Sequence, residues 1–232
     1  MSVNIARDPD AAVAAIRRGA TVLIGGFGSA GHPVELIEAL RRSGTGDLTV
    51  VSNNAGHGDA GLAALLASGA VRKIICSFPR QSDSWVFDRL YRAGRIELEL
   101  VPQGNLAERM RAAGAGIGAF FSPTGVGTPL AAGKEQRSIN GREYVLEFPI
   151  HGDVALIKAQ VADTAGNLVY RKTARNFGPV MATAAAVTIA QVDRIVAAGG
   201  IDPEVVITPG IFVSTVVACP AVTPPVTPGP AA

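Results

Sequence analysis

The chain has 232 residues, 48% hydrophobic and 17% charged, with a formal net charge of +2. That length buries a good core as one α/β domain, and so few charges imply that a partner covers some of the surface. The small charge and the lack of basic blocks interleaved with aromatics exclude a nucleic-acid partner, and no apolar run reaches the roughly 18 residues of a membrane helix.

Short apolar runs alternate with helical patterns through the first half. Strands are predicted at Thr21–Ile24, Leu48–Ser52, Lys73–Ser77, Ile96–Val101 and Ile117–Phe121. Between them, Asp59 is placed to cap a helix carrying Leu62, Leu65 and Leu66. Asp83 is placed to cap the next, with Val86, Phe87, Leu90 and Tyr91 as its apolar stripe and Gly94 as its stop. Asn105, three residues before Glu108, reads as a capping-box start. Strands spaced by helices predict βαβ units, hence a mainly parallel sheet with helices on both faces.

The second half changes character. Asn140-Gly141 between two alternating segments predicts a two-residue hairpin, an antiparallel portion beside the parallel sheet. Asp153–Gln160 and Gly166–Tyr170 predict further strands joined by a turn near Asp163–Gly166. A helix is expected after Pro179, and Val187–Val196 should return to strand. Residues 1–219 then form one domain, and the Pro-rich tail 220–232 is expected to be disordered. Met1–Asp10 lacks the apolar core of a secretion signal, and two cysteines are too few for a disulfide framework. His32, His57 and His151 are far apart and share no metal spacing with a cysteine. A cytoplasmic protein without a metal is the expectation.

The stretch Gly25-Gly26-Phe27-Gly28-Ser29-Ala30-Gly31-His32-Pro33 carries the strongest chemical signal. A glycine-rich turn between a strand and a helix lets the backbone approach a ligand, and free N–H groups at the helix start favour negative charge. Gly26-x-Gly28-x-x-Gly31 also fits a dinucleotide fingerprint, but that site needs an acidic residue ending the second strand. Here that strand ends in Asn53-Asn54, and Asp47 lies at its other end.

The same glycine-rich stretch resembles the N-terminal signature of the A (alpha) half of family I coenzyme A transferases. Further segments resemble that half in order: Ser52–Gly56, Val101–Arg109, Pro123–Gly125, Gly166–Arg171 and Ala174–Phe177. Ile74–Gln81 and Leu90–Gly94 are similar to the branch that acts on 3-oxoadipate.

The resemblance implies an enzyme that moves coenzyme A from an acyl thioester to a carboxylate through a glutamyl thioester. It implies the coenzyme thioester as substrate and no tightly bound cofactor. In the family the nucleophilic glutamate lies in a Glu-Asn-Gly setting on a B subunit, whereas the one Asn-Gly here follows Ile139. The chain is therefore expected to be half of a hetero-oligomer whose partner brings the glutamate. Gln103 aligns with the family's oxyanion-hole glutamine, the alternative being a plain loop hydrogen-bond donor. Gly25, Gly26, Phe27, Gly28 and Gly31 would shape the substrate or coenzyme loop, although Gly25 and Gly31 also fit a purely conformational role and Phe27 a core position. Asn53 and Asn54 would bind substrate or fix loops near it. Arg171, Lys172 and Arg175 would hold a carboxylate or a coenzyme phosphate, or serve as interface or surface charges. Val126 and Pro129–Ala132 depart from the usual pattern, which leaves another 3-oxoacid such as acetoacetate open. From other classes, a sugar-phosphate isomerase-like enzyme and a non-catalytic binding module of related fold remain.

Overall fold

The structure, a computed structural model, describes residues 3–80 and 83–220. The expected disordered tail therefore lies outside the described residues, except for Pro220. In chain order the first half runs β1 (Asn4–Ile5), α1 (Pro9–Val13), β2 (Thr21–Ile24), α2 (Val34–Arg42), β3 (Leu48–Val51), α3 (Gly61–Ala67), β4 (Val71–Cys76), α4 (Trp85–Arg92), β5 (Glu97–Leu100) and α5 (Gln103–Gly114). The second half runs β6 (Phe120–Ser122), β7 (Gln136–Ile139), β8 (Arg142–Glu147), β9 (Gly152–Asp163), β10 (Leu168–Val169), α6 (Gly178–Ala184), β11 (Ala185–Val196) and β12 (Thr215–Ala218).

The main sheet has the order β1-β12-β11-β9-β2-β3-β4-β5, with β10 added antiparallel to β9. All other neighbours in it are parallel. A parallel sheet buried on both faces needs strands that are apolar on both faces, and β3 (Leu-Thr-Val-Val) is buried at every residue. Successive side chains face opposite ways. Val22, Ile24, Val50, Ile74 and Leu156 join one core cluster with Leu36, Leu40, Leu65, Leu66 and Phe87 of α2 to α4. Leu23, Val51, Ile75, Ala155 and Ile157 join the other with Leu106 and Met110 of α5 and Met181 of α6. Each fully buried Leu or Ile contributes roughly 1.5–3 kcal/mol, so these two layers supply most of the driving force.

From β2 the chain builds outward through β3, β4 and β5, whereas β9, β11 and β12 build outward on its other side. The β2–β9 boundary is thus a topological switch point, and the crevice beyond the carboxyl ends of the strands there is where open α/β sheets bind ligands.

Four sequence expectations change. The Ile117–Phe121 strand forms at Phe120–Ser122 and leaves the parallel sheet, pairing antiparallel with β8 in a separate sheet ordered β6-β8-β7. The Asn140-Gly141 turn does close that sheet, with φ of 51° and 76°. Neither Asp59 nor Asp83 caps a helix: the cap positions of α3 and α4 are Ala60 and Ser84, without a side-chain cap bond. Asn105 lies inside α5, whose cap position is Pro102, because its side chain is claimed by tertiary partners. Gly94 does stop α4, at φ 64° with its N–H on the Tyr91 carbonyl.

Candidate active site

The glycine loop leaves β2 still on the sheet ladder, with the Gly25 N–H donating to the Leu156 carbonyl at 3.0 Å. It then folds on itself through mutual Phe27–Ala30 backbone bonds. Gly26, Gly28 and Gly31 have φ of 132°, 58° and 73°, so the turn needs residues free of a Cβ penalty. At Gly31 the need is also steric, since a Cβ would lie 2.3 Å from the Ala174 carbonyl oxygen. At Gly26 a Cβ would strike the His32 ring at 2.5 Å.

Asn176 fastens this loop from the far side of the switch point. Its Oδ1 accepts the Gly26 N–H at 3.1 Å, and its Nδ2 donates to the Ala30 carbonyl at 3.1 Å. The expected anion cradle at the start of α2 is partly used up by the protein. Gln191 Oε1, from β11, accepts the N–H groups of Glu35 at 3.2 Å and Leu36 at 3.4 Å, and Gln191 Nε2 donates back to the Glu35 carboxylate. Sequence reasoning missed Gln191, which stands in β11 between Ala190 and Val192.

Gln103 is the first residue of α5 and is exposed at the carboxyl edge of the sheet. Its Nε2 donates to Asn53 Oδ1 at 2.7 Å. Asn53 is 4% exposed and also receives the Ser77 hydroxyl on Oδ1 at 3.0 Å, while its carbonyl accepts the N–H groups of Ser77 and Phe78. Asn54 is fully buried: its Oδ1 accepts the Gly56 N–H at 2.8 Å, and its Nδ2 has no hydrogen-bond partner among the described residues. The structure thus brings Gln103, Asn53 and Asn54 to one edge, with Asn53 buried as a support. Phe27, half exposed at 51%, is not a core residue, and Phe78 at the end of β4 is exposed too.

The three basic residues do not form one cluster. Lys172, at φ 50°, and Arg175 line a cleft of ≈ 1020 Å³ with Phe27, Val205 and Ile207. Arg171 faces a second cleft of ≈ 340 Å³, with Ser29, His32, Lys158 and Asp193. That second cleft lies between the glycine loop and residues 158–160 of β9 with Asp193 of β11, where β9 runs on past the end of β2.

Two titratable groups near this edge are held in their neutral forms. Burial lowers the His32 imidazole below its usual value, opposed by its bond to the Gly28 backbone and aided by repulsion from His57. Burial pushes the Cys76 thiol up to about 12, so this cysteine of β4 is no nucleophile. Among the described residues no group of three or more His, Cys, Asp or Glu could hold a metal ion, and no helix is long and apolar enough to cross a membrane.

A family model described as coenzyme A transferase matches residues 7–219. The chain is 67% identical over 207 residues to the A subunit of the 3-oxoadipate CoA-transferase of Pseudomonas putida, covering 89% of this chain and 90% of that one. It is 52% identical over 202 residues to the A subunit of a probable succinyl-CoA:3-ketoacid coenzyme A transferase of Bacillus subtilis, covering 87% and 84% of the two chains. Among solved structures, the glutaconate coenzyme A-transferase of Acidaminococcus fermentans superposes with a TM-score of 0.84 at 21% identity, over 94% of this chain and 76% of that one. An acyl-CoA transferase of E. coli O157:H7 superposes at 0.80 with 23% identity over 94% of this chain, which spans 47% of that longer polypeptide. At these identities the two structures establish the fold.

Proposed function

This chain belongs to the coenzyme A transferase family as an A subunit, and from that premise we propose that it works with a B subunit to move coenzyme A from succinyl-CoA to 3-oxoadipate. The observation that carries the reading is Gln103. Its amide stands at the exposed carboxyl edge of the sheet, already oriented by a buried asparagine, in a chain that lacks the family's Glu-Asn-Gly setting.

The partner's glutamate carboxylate attacks the donor's thioester carbonyl and expels coenzyme A thiolate, which leaves an acyl-glutamyl anhydride. The thiolate then attacks the glutamyl carbonyl, releasing succinate and leaving a glutamyl thioester. The 3-oxoadipate carboxylate repeats the two steps in reverse, which yields its thioester and regenerates the glutamate. Each attack places negative charge on a carbonyl oxygen. The Gln103 Nε2 group has a second N–H beyond the one given to Asn53, and it is the donor this chain offers to that oxygen. The Gly26–Gly28 backbone and Phe27 form the wall against which the acyl chain lies, while Asn53 and Asn54 hold the loops at the neighbouring strand ends. Lys172 and Arg175 in the large cleft, and Arg171 in the small one, are the cations for a carboxylate or coenzyme phosphate.

A second substrate reading is a different 3-oxoacid, such as acetoacetate. It is favoured by the similarity to the B. subtilis 3-ketoacid enzyme and by Val126, which departs from the branch pattern. Purified chain is assayed with succinyl-CoA and each acid, by itself and mixed with a B subunit. Turnover is expected only in the mixture, faster with 3-oxoadipate, with a mass gain of coenzyme A less one water on the partner. Turnover by this chain alone, or a mass gain on it, defeats the proposal.

A further inference from the structure

The first turn of α5 carries two side chains with different surroundings. Gln103 is exposed at the sheet edge, whereas Asn105 is 3% exposed and fully engaged. Asn105 Oδ1 accepts the Ser122 hydroxyl at 2.8 Å, and its Nδ2 donates to Glu147 Oε1 at 3.1 Å and to the Thr124 carbonyl at 3.3 Å. Glu147, the last residue of β8, is itself 3% exposed. It takes Lys134 Nζ at 2.7 Å and lies 3.8 Å from Arg109 Nε. Arg109, further along α5, donates to the Phe148 carbonyl at 2.7 Å and to Glu99 Oε1 at 2.9 Å. The small antiparallel sheet is therefore tied to α5 at both Asn105, which donates to Glu147, and Arg109, which donates to the Phe148 carbonyl.

A carboxylate removed from water survives only when paired and hydrogen-bonded, and apolar packing would join a sheet to a helix without that cost. What packing does not supply is direction. Bonds from Ser122, Thr124 and Glu147 to one amide fix the rotation of the first helical turn about its own axis. That rotation decides where Gln103, two residues earlier, aims its amide.

We propose that Glu147 is a positioning residue for Gln103: by gripping Asn105 it sets the first turn of α5 so that the Gln103 amide meets Asn53 and the substrate edge in one orientation. The inference rests on Gln103 being the oxyanion donor. It assigns the separate sheet β6-β8-β7 a task in the reaction, as the clamp that orients the donor.

The test uses the complex reconstituted from this chain and its B subunit. Glu147→Ala removes the carboxylate that accepts from Asn105 Nδ2. It should lower kcat roughly tenfold with KM within about twofold, because orientation matters most in the transition state. Amide hydrogen exchange at residues 104–106 should quicken in the same variant. Added to Gln103→Ala, the same change should cost less than about twofold more, since two residues acting through one contact are not additive. Ser122→Ala, which removes a single bond to Asn105, is the milder variant and should show the same non-additivity. Full kcat in Glu147→Ala, or losses that multiply in the double variant, overturns the positioning role while leaving Gln103 as donor. Full kcat in Gln103→Ala alone overturns the donor reading and the positioning role together.

Discussion

Asn53 Oδ1 lies 2.7 Å from Gln103 Nε2 and 3.0 Å from the Ser77 hydroxyl, so one buried oxygen at the end of β3 orients a side chain from α5 and one from the end of β4. The Gln103 amide is thereby held by a buried partner, and under the proposed donor role little reorganisation would remain for the moment of reaction. Three neighbouring strand ends meet at this contact, on the side of β2 away from the switch point.

Asn53→Ala removes that shared acceptor. Gln103 would then sample several rotamers, and kcat in the reconstituted complex should fall about tenfold with little change in KM. Because Ser77 also loses a bond, the chain should lose about 1–3 kcal/mol of stability, read from denaturant unfolding. Unchanged stability together with unchanged kcat would show that the contact supports nothing.

The glycine loop predicts a contrast between two positions. Gly31→Ala sets a Cβ 2.3 Å from the Ala174 carbonyl oxygen at φ 73°, and it should lower the melting temperature strongly and loosen the Asn176 contacts. Gly28→Ala meets nothing within 4 Å at φ 58°, so it should cost only the roughly 1–2 kcal/mol of a left-handed L-residue. Equal melting temperatures for the two variants would contradict the close approach.

Much of the fold is legible in the sequence because its causes are local. The apolar runs at Thr21–Ile24 and Leu48–Val51, the Asn140-Gly141 turn and Gly94 each act within a few residues. The Asn105 cap fails because its outcome is decided at long range: its side chain is drawn to Glu147, 42 residues away, just as α2 receives its acceptor from Gln191, 155 residues from Leu36. Strands β1 and β12 are not predicted from the sequence, and each is held by pairing with a partner distant in the chain. In the site, the motif residues mark Gln103, but the Asn53 support spans 50 residues and appears only in the fold. The division of Arg171 from Lys172 and Arg175 is likewise invisible in a run of five residues.

His32 should titrate below the usual 6.5, because burial and the charge of His57 disfavour its imidazolium. With the native value depressed, the neutral form stabilises the loop above pH 6.5. That contribution is lost as the pH falls through the native value. Proton NMR should show the His32 midpoint below 6.5, and His57→Ala should move it upward. A midpoint at or above 6.5 in the parent would contradict the burial of this ring.

The central claim is that Gln103 donates to the developing oxyanion, and kcat of Gln103→Ala in the reconstituted complex tests it most directly. The account predicts a fall of roughly 10²–10³, the range for one lost donor, with KM changed far less. Gln103→Glu should be at least as harmful, since a carboxylate repels the developing charge, and both variants should assemble and melt like the parent. A Gln103→Ala complex that assembles normally and keeps full kcat would contradict the account and leave Gln103 as a loop residue bonded to Asn53.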